Sequence, residues 1–225
     1  MKILLASDGK FLMKEGYKLL DIPVEQMNIG YITTAAKVSR GSASVMVQNY
    51  KKEMTDNGYS YEEFDIEGKS KKEMTDFFAN KNIIHVEGGN TYYLLKAIRE
   101  SGFSDFLKES LNEGKIYIGT SAGAYVMCPT IEVSNWNDDG KDKFGLTDFT
   151  GLNYVPFVLK VHYKDEMKEL ITEKMKNLKY PLKILKDGQG IYDNNGEFSF
   201  NGEGEEIKLE TPTEKINEIR NPKIF

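Results

Sequence analysis

The sequence predicts an α/β fold of three layers, with a mostly parallel sheet covered by helices on both faces. Two observations predict it. Strand-like and helix-like segments alternate over residues 2–125, the signature of successive β-α-β units. Within that alternation a short apolar strand at 116–118 runs into Gly119-Thr120-Ser121-Ala122-Gly123 and then into helix formers, a junction that belongs at the carboxyl end of a parallel strand. At 225 residues, 40% hydrophobic and 29% charged, the chain suits one α/β domain over residues 1–225 with a full core.

The elements follow in order. Residues 2–6, Lys-Ile-Leu-Leu-Ala, read as an edge or early strand, and the apolar run is too short for a signal peptide or a membrane span. A helix-length segment and a linker containing Pro23 lead to a second strand at 28–34. Val45, Val47, Tyr50 and Met54 recur at helical spacing within 42–57, and Gly58 stands where a helix would stop. A strand at 59–66, a helix at 70–80, a strand at 82–86 and a helix at 90–101 closed by Gly102 continue the alternation. After the strand at 116–118, residues 122–128 read as a helix stopped by Pro129. An apolar run from Phe157 ends at His162, ahead of an acidic helical segment at 164–177. Weak alternation around Asn194-Asn195-Gly196 predicts a closing hairpin over the sheet edge.

The chemistry centres on G-x-S-x-G. A sharp turn there lifts a serine hydroxyl out of the backbone, and unpaired N–H groups at the helix start favour developing negative charge. Ser121 is the candidate nucleophile; its plainer reading is a helix cap. Serine needs a base, and the chain has two histidines. His85 lies inside an apolar strand and reads as a core histidine, whereas His162 stands at a strand end and is the candidate base. The turn Glu87-Gly88-Gly89-Asn90-Thr91 should offer the Gly89 N–H as an oxyanion donor beside that of Ala122, with Asn90 available to substrate or as a helix cap. Cys128 reads as packed core, and a single cysteine suits a reducing cytoplasm. A net charge of −5 without a basic block argues against a nucleic-acid partner. Two dispersed histidines and one cysteine suggest no metal-ligand cluster, so no cofactor is expected.

These motifs in this order resemble peptidase family S51, the aspartyl dipeptidase (dipeptidase E) and cyanophycinase group. The resemblance rests on Gly88-Gly89-Asn90-Thr91 before a Leu-Leu helix, on the stretch from Tyr117 to Ala124, on Cys128-Pro-Thr-Ile131 and on the strand ending in His162. It implies a cytoplasmic serine hydrolase with a class I glutamine amidotransferase-like fold. A Ser–His–acid triad would cleave a peptide or isopeptide bond next to an acidic residue. The family's usual acid is a glutamate before glycine; here Asp187-Gly188 stands in that place. Asp187 therefore takes the role, with Glu132 and Asp138 as fallback acids, and a plain turn aspartate as the alternative.

An acidic substrate group needs a fixed cation, and among Arg40, Arg99 and Arg220 only Arg40 follows a strand that should open on the crevice of Ser121. A solvated loop arginine is the other reading. The loop at 134–150 could line the pocket or act as a lid. The expected partner is a small peptide, with no nucleic acid and no membrane, in a monomer or homodimer. Two other functions fit the same residues: an amidotransferase-like binding or regulatory protein without peptidase activity, and an amidohydrolase of small amides.

Overall fold

The computed structural model describes residues 1–39, 42–136 and 143–209, with residues 42–44 described by backbone alone. Its strands are β1 (Lys2–Ala6), β2 (Asn28–Ile32), β3 (Ser60–Phe64), β4 (Ile83–Val86), β5 (Ile116–Thr120), β6 (Val158–Lys160), β7 (Leu182–Ile184), β8 (Gln189–Asn194) and β9 (Glu197–Gly202). Its α-helices are α1 (Gly9–Lys14), α2 (Ser42–Asp56), α3 (Lys71–Phe78), α4 (Thr91–Glu100), α5 (Phe103–Asn112), α6 (Ala122–Tyr125) and α7 (Lys168–Met175). Among the described residues, one sheet runs β3-β2-β4-β5-β1-β8-β9, and β6 and β7 form a separate parallel pair. The five strands from β3 to β1 are mutually parallel, whereas β8 and β9 are antiparallel additions beyond β1.

Strand geometry sends alternate side chains to opposite faces, and β1 shows the result. Ile3 and Leu5 join a core shared with α3, α4, α5 and α6, while Leu4 and Ala6 join the opposite core under α1 and α2. That two-sided burial makes the three layers expected from the alternation of elements. Each fully buried Leu or Ile side chain contributes about 1.5–3 kcal/mol relative to exposure.

Several boundaries differ from expectation for identifiable reasons. β1 is an early strand but no edge: it lies between β5 and β8, and its near-continuous apolar run reflects burial on both faces. The helix expected over 122–128 is α-helical only to Tyr125, since Met127 and Cys128 N–H donate three residues back, to Ala124 and Tyr125 C=O. The carbonyls that follow accept from the chain after Gly151. Leu152 N–H donates to Val126, Tyr154 N–H to Met127 and Asn153 N–H to Cys128. Helix α5 was not anticipated, although Phe103, Phe106, Leu107, Ser110 and Leu111 bury one helical face. The hairpin forms at Asn195-Gly196, both at positive φ, and supplies β8 and β9. No described helix is long and apolar enough to cross a membrane.

Candidate active site

Three neighbouring parallel strands, β4, β5 and β1, end on the same side of the sheet. The residues that follow them, Glu87-Gly88-Gly89, Ser121 and Ser7-Asp8, line one cavity of about 640 Å³. This is the crevice outside the carboxyl ends of the strands where α/β sheets place ligands.

Ser121 adopts φ 49°, ψ −102°, a conformation that costs a non-glycine residue roughly 1–3 kcal/mol. The turn is held by Ser121 N–H donating to Ala6 C=O and by Ser121 C=O accepting from Ala124 and Tyr125. Gly123 is required sterically, since a Cβ there would sit 2.1 Å from Val86 O. The serine side chain makes no capping bond to its helix and points to His162 instead.

The β6–β7 pair brings the other two residues together. Its parallel register sets Lys160 beside Ile184, and the backbone pairing runs on past the strands through Leu185 N–H to Lys160 C=O and Tyr163 N–H to Leu185 C=O. His162 and Asp187 emerge side by side from the two strand ends. His162 Nε2 lies 2.9 Å from Ser121 Oγ, and Nδ1 lies 2.6 Å from Asp187 Oδ1. His162 is itself at positive φ, 54°. The hydrogen bond with His162 is the main influence holding the Asp187 carboxyl below the usual carboxylate range.

The loop after β4 closes the other side. A Cβ on Gly88 would stand 3.1 Å from Ser121 Cβ, so the loop backbone abuts the serine. Gly89 has φ 142°, and a Cβ there would meet Ala35 O at 2.1 Å, so no other residue fits. Ala122 N–H belongs to the first turn of α6 and has no intrahelical acceptor. Asn90 serves as the N-cap of α4, its Oδ1 accepting from Tyr92 and Tyr93 N–H at 2.9 and 3.0 Å, while also lining the cavity.

The remaining candidates separate. Glu132 lies on a different cavity, with Trp136 and Glu173. Arg40 and Asp138 lie outside the described residues, as do Arg220 and part of the 134–150 loop. The described part of that loop packs on α4, where Arg99 holds Asp148 and the Thr150 carbonyl, and lines no part of the main cavity. His85 is fully buried among tyrosines, and burial pushes its pKa down to about 3. Cys128 is fully buried too, its thiol pushed up to about 12 by burial. Among the described residues no group of three or more His, Cys, Asp or Glu side chains is placed to hold a metal ion.

Ser7, Asp8 and Lys10, which sequence reasoning passed over, also line the site, as does Glu87, which it named within its turn without a role. The first three follow β1, so the strand-end rule applied there as well as to β4 would have found them. Glu87 is buried, accepts from Tyr31 and from Gly88 N–H, and has its pKa raised by burial.

Residues 3–200 match Peptidase family S51. An uncharacterized peptidase of Pasteurella multocida is 33% identical over 140 residues, 62% of this chain and 67% of the relative. Peptidase E of Escherichia coli is 38% identical over 90 residues, 40% of this chain and 38% of the relative. A crystal structure of a candidate peptidase E from Listeria monocytogenes EGD-e superposes with a TM-score of 0.77 at 28% identity, covering 90% of this chain and 98% of the other. The fold is thus of the class I glutamine amidotransferase-like kind found in peptidase E structures. This chain belongs to peptidase family S51 and is a peptidase of the serine type.

Proposed function

We propose that Ser121, His162 and Asp187 are nucleophile, base and orienting acid of a dipeptidase of the peptidase E kind, cleaving a peptide or isopeptide bond next to an acidic residue. The observation that carries this reading is the row of contacts from Ser121 Oγ through His162 to Asp187, at 2.9 and 2.6 Å. His162 takes the Ser121 proton as Oγ attacks the scissile carbonyl, then gives it to the leaving amine. Water attacks the resulting acyl-enzyme with His162 again as base, and Ser121 recovers its proton. The N–H groups of Gly89 and Ala122 hold the oxyanion, and losing one such donor costs ~10²–10³ in rate. Asp187 has a shorter arm than the glutamate usual in the family, and its Oδ1 nevertheless stands 2.6 Å from His162 Nδ1.

A cavity of about 640 Å³ suits a small peptide. Lys10 on its described wall supplies positive charge, and Val38 and Ser39 line it just before Arg40, our candidate for gripping an acidic side chain. A lone, buried cysteine fits work in a reducing cytoplasm. The test is a dipeptide library with Ser121→Ala as control. Asp-X or Glu-X should be cut faster than Asn-X or Gln-X, and Arg40→Gln should erase that preference. Equal rates across the library would remove the specificity claim; retained turnover in Ser121→Ala would remove the nucleophile.

A further inference from the structure

Ser7 directly follows the first buried strand, is buried at the back of the cavity wall, and makes two side-chain hydrogen bonds that join parts of the site far apart in sequence. Its Oγ donates to Asp187 Oδ1 at 3.1 Å and accepts the backbone N–H of His162 at 3.0 Å. We propose that Ser7 is a positioning residue of the hydrolytic reaction, a fourth member of the row that fixes His162 and Asp187 relative to each other. The inference rests on the triad reading given above.

The geometry explains why such a part is needed. β6 and β7 have three residues each and belong to a different sheet from β5. The distance between His162 and Ser121 therefore depends on how the β6–β7 pair is docked to the carboxyl end of β1. Ser7 supplies that dock at both ends. It captures the His162 N–H, whose residue is held at φ 54°, an unfavourable conformation for a side chain larger than glycine that needs surrounding bonds to persist. It also gives Asp187 Oδ1 a second donor besides His162, so the carboxylate is gripped from two directions and its ring-facing oxygen is fixed. The neighbouring backbone is pinned to the same strand end, with Ser7 N–H donating to Gln189 C=O and Gly188 N–H donating to Asp8 Oδ1. That pinning holds the turn without Ser7 Oγ, so removing the hydroxyl should loosen the ring and carboxylate more than the fold.

The Ser7 donor also favours the charged form of Asp187. Ser7→Ala should then leave a more basic carboxylate, and the acid limb of the pH–rate profile should move to higher pH. Loss of a hydrogen bond to a charged group predicts a fall in kcat of roughly tenfold or more with KM within about twofold. Because one of the two Ser7 bonds acts through Asp187, the effect of Ser7→Ala should be clearly smaller in an Asp187→Asn background, where only the bond to the His162 N–H is left to lose.

The experiment is a double-mutant cycle of Ser7→Ala and Asp187→Asn, with kcat, KM and pH profiles, alongside the rate of labelling of Ser121 by a fluorophosphonate. Ser7→Cys, close in shape but a weak donor, should fall between wild type and Ser7→Ala, and it decides the matter if the alanine variant does not fold. A wild-type kcat and acid limb in folded Ser7→Ala would overturn the proposal, as would full additivity with Asp187→Asn. If Ser121→Ala and His162→Ala retain turnover, the triad reading fails; if they lose it while Ser7→Ala keeps it, the Ser7 proposal alone fails.

Discussion

Thr120 and Ser121 are adjacent in sequence, and each hydroxyl is bonded to one of the two histidines. His85 Nε2 lies 2.7 Å from Thr120 Oγ1, and His162 Nε2 lies 2.9 Å from Ser121 Oγ. On the hydroxyl side the two pairs are nearly alike, and the difference lies at the other ring nitrogen. His85 Nδ1 meets the Tyr17 hydroxyl at 3.3 Å in a fully buried nest of tyrosines, where burial opposes the imidazolium. His162 Nδ1 meets the Asp187 carboxylate at 2.6 Å on the cavity wall, where a carboxylate backs the ring and open space lies in front of it. A histidine–hydroxyl contact alone is therefore no sign of a base. What makes one is a carboxylate behind the ring and a place for substrate in front.

The sharpest way to break this comparison is to exchange the consequences of the two pairs. Ser121→Ala should abolish peptide hydrolysis and His162→Ala should lower kcat by roughly 10⁴-fold or more, with unfolding midpoints close to wild type. Thr120→Val should keep most turnover and lose stability, by about 1–3 kcal/mol for the unpaired His85 nitrogen. Activity assays paired with urea melts would read both, and a collapse of turnover in a well-folded Thr120→Val would make the buried pair part of the chemistry.

Next in size is Asp187→Asn. An amide can hold the wrong tautomer and offers no charge to the imidazolium, so kcat should fall by roughly 10²–10⁴ and the loss should persist at saturating substrate. A loss confined to KM would place Asp187 in binding. Asp187→Glu, which restores the residue usual in the family, should be slower than wild type, because the carboxylate already stands 2.6 Å from the ring and a further methylene has to fold away.

How much of this was legible follows the range of the forces involved. Local signals carried the elements: Asn90 caps α4, Ser70 forms a capping box with Glu73, and the apolar runs of β1, β4 and β5 mark buried parallel strands. G-x-S-x-G pointed to Ser121 because the motif describes its own backbone turn. His162 and Asp187 were nameable by position at strand ends, with the resemblance selecting Asp187. Ser7 was not, because its importance lies in two bonds that span 155 and 180 residues and depend on how β6–β7 docks on β1. The path of the chain just after α6 escaped for the same reason, its carbonyls pairing with the segment after Gly151.

The smallest effect on turnover and the most specific mark of burial should come from His85. In the unfolded chain this imidazole titrates near 6.5, and in the folded chain burial lowers its pKa to about 3. Between those values the unfolded state binds a proton that the folded state refuses. The stability at stake is thus fully present above 6.5 and is lost as pH falls toward 3, at up to about 1.4 kcal/mol per pH unit for this one group. Asp187 and the other carboxyls held below their ordinary values begin to contribute only nearer 4, whereas Glu87, held above its ordinary value by burial, can change charge between pH 7 and 5. Glu87 and His162 are common to both proteins if wild type is compared with His85→Gln, whose amide can pair with Thr120 without a titrating ring. Urea unfolding at pH 7 and pH 5 should show wild type losing on the order of 2 kcal/mol more than the variant, while kcat at pH 7 stays within a few-fold. Equal losses would mean that His85 takes up its proton without unfolding. The tyrosine nest would then have to open to water, and the contrast with His162 would be one of partner alone and no longer of burial.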